Sequence, residues 1–486
     1  MEIKNLQPKA VFEIFDQITR IPRPSKHEEK IREFILNFAK EHGIASKTDA
    51  IGNVVLTVPA TPGHENAPTV ILQGHMDMVC ESNDKSFDFR TQPIPAYVDG
   101  EWIKTHGTTL GADNGIGVAT SLAILADKNF EHGPIEALFT MDEETGMTGA
   151  FNLGKDMITG SILINLDSED DAELFVGCAG GIDTQAFFTY KRSVAPKDFR
   201  YFRIDVTGLN GGHSGGDIHL GRANANKLLC RFLFELCNKH EVVVSEIDGG
   251  NLRNAIPRAA YAVIGVHTDH KESVRVALNH YIAALENEYV GLEPGLKLTM
   301  ESVDTPEFAI DQDTSLTLIR AIYSAPHGVV SMSRDLEGLV ETSTNLASVK
   351  MADNDTIVVT TSQRSSVESR KLDIAAQVEA HFLLAGARVV HGEGYPGWQP
   401  NLDSTIMKLS SEAYEELYGV KPAIKAIHAG LECGLFLSMY PHLDMVSFGP
   451  TLRDVHSPSE RMHIPAVERF YGQLKRTLEK VAKLKA

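Results

Sequence analysis

The sequence predicts an α/β protein: a three-layer α/β/α domain with a mostly parallel sheet, into which an α+β domain with two similar halves is inserted. Three observations carry this expectation. Apolar, strand-like runs alternate with helix-like stretches through the first part of the chain. The pattern changes after Gly180-Gly181-Ile182, where strands and longer helices follow in another order. The last stretch regains helix-strand-helix character and carries His456, which can serve the first domain only if the chain returns to it. At 486 residues the chain exceeds what one hydrophobic core usually supports, so two domains are expected. We place them at 1–184 with 395–486, and at 185–394.

Taken in order, Ser25-Lys26-His27-Glu28 matches the S-x-x-E capping box, and the stretch to Lys40 carries apolar residues at helical spacing before Gly43. Strands are expected at 51–58 and 70–72, a helix at 114–126, and strands at 135–141 and 162–166. In the inserted part the order is strand 201–206, helix 224–237, strand 259–266, helix 272–288 and a strand near 296–300. A comparable order follows: helix 315–323, strands 344–350 and 356–361, helix 374–385, and a strand at 388–390. That recurrence suggests the two halves, although no residue-level repeat links them. Residues 392–400 (GEGYPGWQP) are rich in glycine and proline and read as a linker.

Composition excludes several classes of function. A formal net charge of -19 argues against a nucleic-acid partner, because phosphate binding needs clustered Lys and Arg. No apolar run approaches the roughly 20 residues that span a bilayer, so no membrane partner is expected. Met1-Glu2-Ile3-Lys4-Asn5 lacks an apolar signal core, so export is not expected. Cys80, Cys178, Cys230, Cys237 and Cys433 are odd in number and scattered, which suits a reducing cytoplasm.

Five segments end by delivering a histidine or carboxylate. His75 and Asp77 are two apart at a strand end and leave on one face, so Asp77 could hold the imidazole of a metal-ligating His75. Taken alone, the motif is better read as a polar pair on the surface. Asp113 lies in Leu110-Gly111-Ala112-Asp113-Asn114-Gly115, where glycines on both sides permit a tight approach to a metal. An N-cap for the following helix is as good a local reading. A phosphate loop is disfavoured because neither G-x-G-x-x-G nor G-x-x-x-x-G-K-[ST] fits. Glu143 and Glu144 are adjacent at a strand end, so one can bind metal while the other faces a water; an acidic loop is the plainer alternative. Asp167 follows an apolar run, and His456 is one of nineteen histidines. Together, two histidines and several carboxylates without cysteine suit a pair of divalent metals. Asp113, Glu144 and Asp167 with a hydroxide would balance two such ions.

In this order the segments resemble the zinc-dependent M20 metallopeptidase family: H-x-D, Asp, Glu-Glu, Asp and a late His. The resemblance extends over the whole chain, through 110–117 (LGADNGIG), 208–216 (GLNGGHSGG), 251–257 (NLRNAIP) and 428–435 (HAGLECGL). It implies two Zn2+, with Co2+ or Mn2+ as substitutes. Asp113 would bridge them, His75 and Asp167 would hold one, and Glu144 and His456 the other. Asp77 would orient His75, and Glu143 would act as general base and then general acid. The insertion would be a lid that supplies His213 to the oxyanion, while Asn254 and Arg364 hold a substrate carboxylate beside Gly430. The implied activity is a cytoplasmic dipeptidase for unblocked Xaa-His dipeptides such as β-alanyl-histidine, since the family tends to place Asp at position 167 in enzymes that need a free amine. An N-acyl amino acid deacylase, or a non-catalytic metal- or peptide-binding relative, is the alternative. If the lid has two halves, one can take the place of a partner subunit, so a homodimer is open rather than required.

Overall fold

Val70–His75, Ile135–Thr140 and Ile162–Asn165 lie side by side in an eight-stranded sheet of the computed structural model, which describes residues 2–485. All their residues are buried, so both faces of these strands are covered. Asp444–Ser447 adds to them in parallel, which brings the C-terminal part of the chain back to the first sheet. The sheet is mixed rather than mostly parallel. Ala45–Thr48, Val54–Val58 and Ile135–Thr140 pair antiparallel, as does Asp444–Ser447 with Glu173–Cys178. The edge hairpin has a local cause: the Asp49 carboxylate accepts the amides of Ile51, Gly52 and Asn53, and so short a turn can join only antiparallel strands.

The helix Ala112–Ala126 is apolar and buried almost all round, as an interior helix must be. Its first turn is irregular at Asp113 and Asn114. Asn114 donates to the carbonyl of Leu166 at 2.7 Å, and a Cβ on Gly74 or Gly117 would lie 2.2 or 2.3 Å from its Oδ1. Those two glycines are therefore demanded by a close approach. Helix Glu29–His42 ends at the left-handed Gly43, as its sequence suggested. Its capping box does not form. Glu28 is the N-cap without a side-chain cap bond, its Oε1 accepts from the amides of Lys26 and Asp142, and the Ser25 hydroxyl goes to Asp77.

The chain divides into two compact units, one of Met1–Gly177, Pro400–Ala426 and Leu431–Ala486, the other of Cys178–Gln399 and Ile427–Gly430. The second holds a nine-stranded sheet whose described pairings are all antiparallel. Its core packs helix residues such as Leu229, Phe232, Leu285, Ile322 and Phe382 on strand residues such as Phe202, Ile264 and Val359. Strands Gly180–Thr189 and Val242–Gly249 were not anticipated. The 392–400 segment is no linker: Tyr395 exchanges backbone hydrogen bonds with Gly181, Trp398 does so with Cys178, and Trp398 is buried.

Candidate metal centre and a second polar cluster

Parallel pairing puts the carboxyl ends of three neighbouring strands at one edge of the first unit's sheet, where chemistry collects in such folds. His75 ends the first strand, Asp142, Glu143 and Glu144 follow the second, and Asp167 follows the third. Asp113 and His456 complete the group. The Asp113 carboxylate lies between two imidazoles, with Oδ1 at 3.1 Å from His75 Nε2 and Oδ2 at 3.1 Å from His456 Nε2. Each imidazole nitrogen has a further carboxylate: Asp167 Oδ1 is 3.4 Å from His75, and Glu144 Oε2 is 3.1 Å from His456. Two three-residue groups with closely spaced donor atoms result, His75–Asp113–Asp167 and Asp113–Glu144–His456, and they share Asp113. Glu143 also groups with His75 and Glu144. Asp142 and His456 hold left-handed backbone at φ 50 and 59, a conformation that non-glycine residues keep mainly where their surroundings impose it.

Asp77 organises this edge. Its Oδ1 is 3.2 Å from His75 Nδ1 and accepts the Glu143 amide at 3.0 Å; its Oδ2 accepts the Glu144 amide and the Ser25 hydroxyl. Against burial, these bonds, with His75 foremost, hold its pKa down at about 2. A carboxylate at Nδ1 makes that nitrogen the proton donor, so neutral His75 presents a lone pair at Nε2 to two carboxylate oxygens. Lone pairs facing lone pairs repel unless a proton or cation lies between them. Without a metal it is a proton: burial would lower His75, but Asp167, Asp113 and Asp77 raise it well above its ordinary value, and Asp113 and Glu144 lift His456 to about 11. Burial pushes Asp167 and Glu143 well above the usual carboxylate range. Glu144 Oε1 is buried and, among the described residues, accepts no hydrogen bond, and buried Asp167 Oδ1 has only the His75 imidazole at 3.4 Å. This donor set, rich in carboxylate oxygens around two imidazoles, fits two divalent cations.

Three supporting residues escaped the sequence reading. Glu460 accepts the backbone amides of Leu110, Gly111, Ala112 and Asp113, and thereby caps the helix start in place of Asp113. Arg23, buried, donates to the carbonyls of Met76, Asp77 and Gly111 and so ties the His75 and Asp113 segments together. Glu432, also buried, accepts from Gln73 and Thr140 beneath the site, and burial raises its pKa to about 8. A lone charged residue far along the chain carries no local pattern.

The second unit holds its own cluster. His213 Nδ1 accepts the amides of Gly215 and Gly216, which leaves the proton on Nε2 as an outward donor. Desolvation, then the Arg364 charge, keep this imidazole below its ordinary pKa. Arg364 is 6% exposed, yet it pairs with no carboxylate among the described residues; Nη1 donates to the Tyr395 phenol at 2.8 Å and Nε to Ser214 Oγ at 3.4 Å. Its polar strand stays buried because Gln363 and Thr184, Thr344 and Thr361 satisfy one another. Gly430 lies against the Tyr395 ring. Asn254 reaches the cluster through its backbone, whose carbonyl accepts the Ser214 amide, while its residue is exposed.

A family model described as Peptidase family M20/M25/M40 matches residues 71–480. The chain is 44% identical over 481 residues, 99% of each protein, to the cytosol non-specific dipeptidase of Escherichia coli (strain K12). Among solved structures, aminoacylhistidine dipeptidase from Vibrio alginolyticus superposes with a TM-score of 0.91 at 43% identity, covering 99% of this chain and 98% of that one. Aminopeptidase PepT from Bacillus cereus shares the fold, with a TM-score of 0.62 at 16% identity over 98% of this chain and 100% of its own. With a metal-ready donor set at the strand ends and these likenesses over nearly its full length, the chain belongs to peptidase family M20/M25/M40, a family of metal-dependent peptide-bond hydrolases.

Proposed function

We propose that the chain is a cytosolic dipeptidase that uses two zinc ions to hydrolyse unblocked dipeptides, Xaa-His dipeptides such as β-alanyl-histidine among them. One observation carries the reading: a single carboxylate, Asp113, stands between His75 and His456, and each histidine has a second carboxylate of its own. His75 and Asp167 would hold one ion, Glu144 and His456 the other, and Asp113 both. Bound there, two divalent cations would polarise the scissile carbonyl and acidify an attacking water.

The side chains supply the remaining steps. Glu143 would take the water's proton on its carboxylate and return it to the leaving nitrogen; its place beside His75 and Glu144 at the strand end supports that role. Asp77 fixes the tautomer of His75 and, through the two amides it binds, the placement of Glu143 and Glu144. His213 would offer Nε2–H to the developing oxyanion. Arg364, buried without an acid partner among the described residues, would take the substrate carboxylate, with Asn254 and Gly430 beside it. The lid role of the second unit rests on the resemblance, and its two halves on the recurring order of strands and helices.

The relatives' names, one non-specific and one aminoacylhistidine, support a dipeptidase and leave the breadth of specificity to experiment. We expect zinc-loaded enzyme to hydrolyse β-Ala-His, Gly-His and Ala-Ala, to lose activity with a chelator, and to regain it with zinc. Tripeptides should react poorly. Equal or faster hydrolysis of the N-acetylated dipeptides would replace this reading with a deacylase, and no turnover of either class would leave a binding protein.

A further inference from the structure

From the geometry we infer that Tyr395 is a substrate-binding residue, its phenolic O–H donating to the same substrate carboxylate that Arg364 takes. The inference rests on the reading of Arg364 given above and adds a second, specificity-determining donor to it.

The phenol is directed by its neighbour. Arg364 Nη1 donates to the Tyr395 oxygen at 2.8 Å, so the phenol's own hydrogen must point elsewhere. Among the described residues no acceptor takes that hydrogen, and Arg364 Nη2 has no hydrogen-bond partner either. Two donors, one cationic, are thus left side by side without an acceptor, an arrangement that a carboxylate completes with one oxygen on each. Burial raises the Tyr395 pKa, so the group stays a neutral donor through the ordinary pH range.

The ring is also held in place by features with no other evident use. Tyr395 pairs through both backbone groups with Gly181, and its carbonyl additionally accepts from the buried Lys371 at 2.7 Å. A Cβ on Gly181 or Gly430 would come within 2.7 or 2.8 Å of the ring, so both glycines leave room for it. Gly181 is also the strand partner of Arg364, which sets guanidinium and phenol in one register. A tyrosine placed only for packing would not need its hydroxyl against a guanidinium that lacks an acid.

The test compares Gly-His with its C-terminal amide, glycyl-histidinamide, on the full-length zinc-loaded enzyme. Tyr395→Phe keeps the ring and removes only the hydroxyl. We expect kcat/KM for Gly-His to fall on the order of 10-fold, mainly through KM, as for loss of a hydrogen bond to a charged group. Turnover of the amide, which lacks the negative charge, should fall clearly less than that of Gly-His, and an unchanged melting temperature and zinc content certify the fold of the variant. An equal fall on both substrates, or no fall on Gly-His, would overturn the assignment. Arg364→Met separates this from the parent reading. If it erases the preference for the acid and Tyr395→Phe does not, Tyr395 alone is wrong; if neither variant alters the preference, the carboxylate lies elsewhere and both readings fail.

Discussion

In the first unit, Asp113, Glu143, Glu144 and Asp167 gather around two imidazoles, and the buried Glu144 Oε1 there accepts no hydrogen bond among the described residues. In the second, a guanidinium 6% exposed has hydroxyl partners and, among the described residues, no carboxylate. One cluster is short of cations and the other short of an anion. Burying an unpaired charge is costly enough that folding alone selects against both. The contrast matches the proposed division of labour, with metal ions at the acidic edge and a substrate carboxylate at the basic cluster. The second also holds a pre-set donor, the His213 Nε2–H, whose other ring nitrogen is occupied by the amides of Gly215 and Gly216.

The hardest test of the acidic edge removes proton transfer while leaving the metals. Glu143→Ala should keep both ions, since Asp113, Glu144, Asp167 and the two histidines remain, and should lose roughly 10²–10⁴-fold in turnover. Metal content by elemental analysis and kcat on a free dipeptide decide it. A metal-loaded variant with near-normal kcat would remove Glu143 from the reaction and pass the role to another group.

The acidic edge was also the more legible of the two in the sequence. Its members sit where apolar, β-branched runs stop, so strand periodicity pointed at His75, Glu143, Glu144 and Asp167, and parallel pairing supplied their convergence. The supports were not legible. Glu460 and Arg23 act on backbone groups of distant segments, and nothing in their own neighbourhood marks that partnership. In the second cluster Tyr395 was missed for a different reason. Glycine and proline around Tyr395 signalled a linker, whereas the glycines at 181 and 430 make room for its ring and 392–400 pairs with the chain beginning at Cys178. The same ambiguity misled the reading of Ser25 and Glu28, whose spacing fits a capping box but whose side chains are drawn to Asp77 and Asp142 by tertiary contacts.

A medium effect is expected at Asp77. Asp77→Ala removes the acceptor that fixes the tautomer of His75 and frees the amides of Glu143 and Glu144. Loss of such an orienting group usually costs about 10–100-fold in metal affinity or activity. Competition with a chromophoric chelator should show weakened binding of at least one ion. Unchanged affinity for both would mean that the strand ends hold the ligands without help.

The smallest effect tests the same carboxylate from its far side. Ser25 Oγ donates to Asp77 Oδ2 at 2.7 Å in a half-buried setting, while His75 and two amides continue to hold Asp77. Ser25→Ala should therefore cost about 1 kcal/mol of stability in the metal-free protein and weaken metal binding by only a few-fold. The two structural alternatives for this residue predict different things. A capping serine would fray helix Glu29–His42 and leave metal affinity untouched, whereas a serine that steadies Asp77 lowers affinity and leaves the helix intact. Amide exchange along the first turn of that helix, measured beside the metal titration, separates them. Faster exchange there with unaltered affinity would restore the capping box and take Ser25 out of the support for the acidic edge.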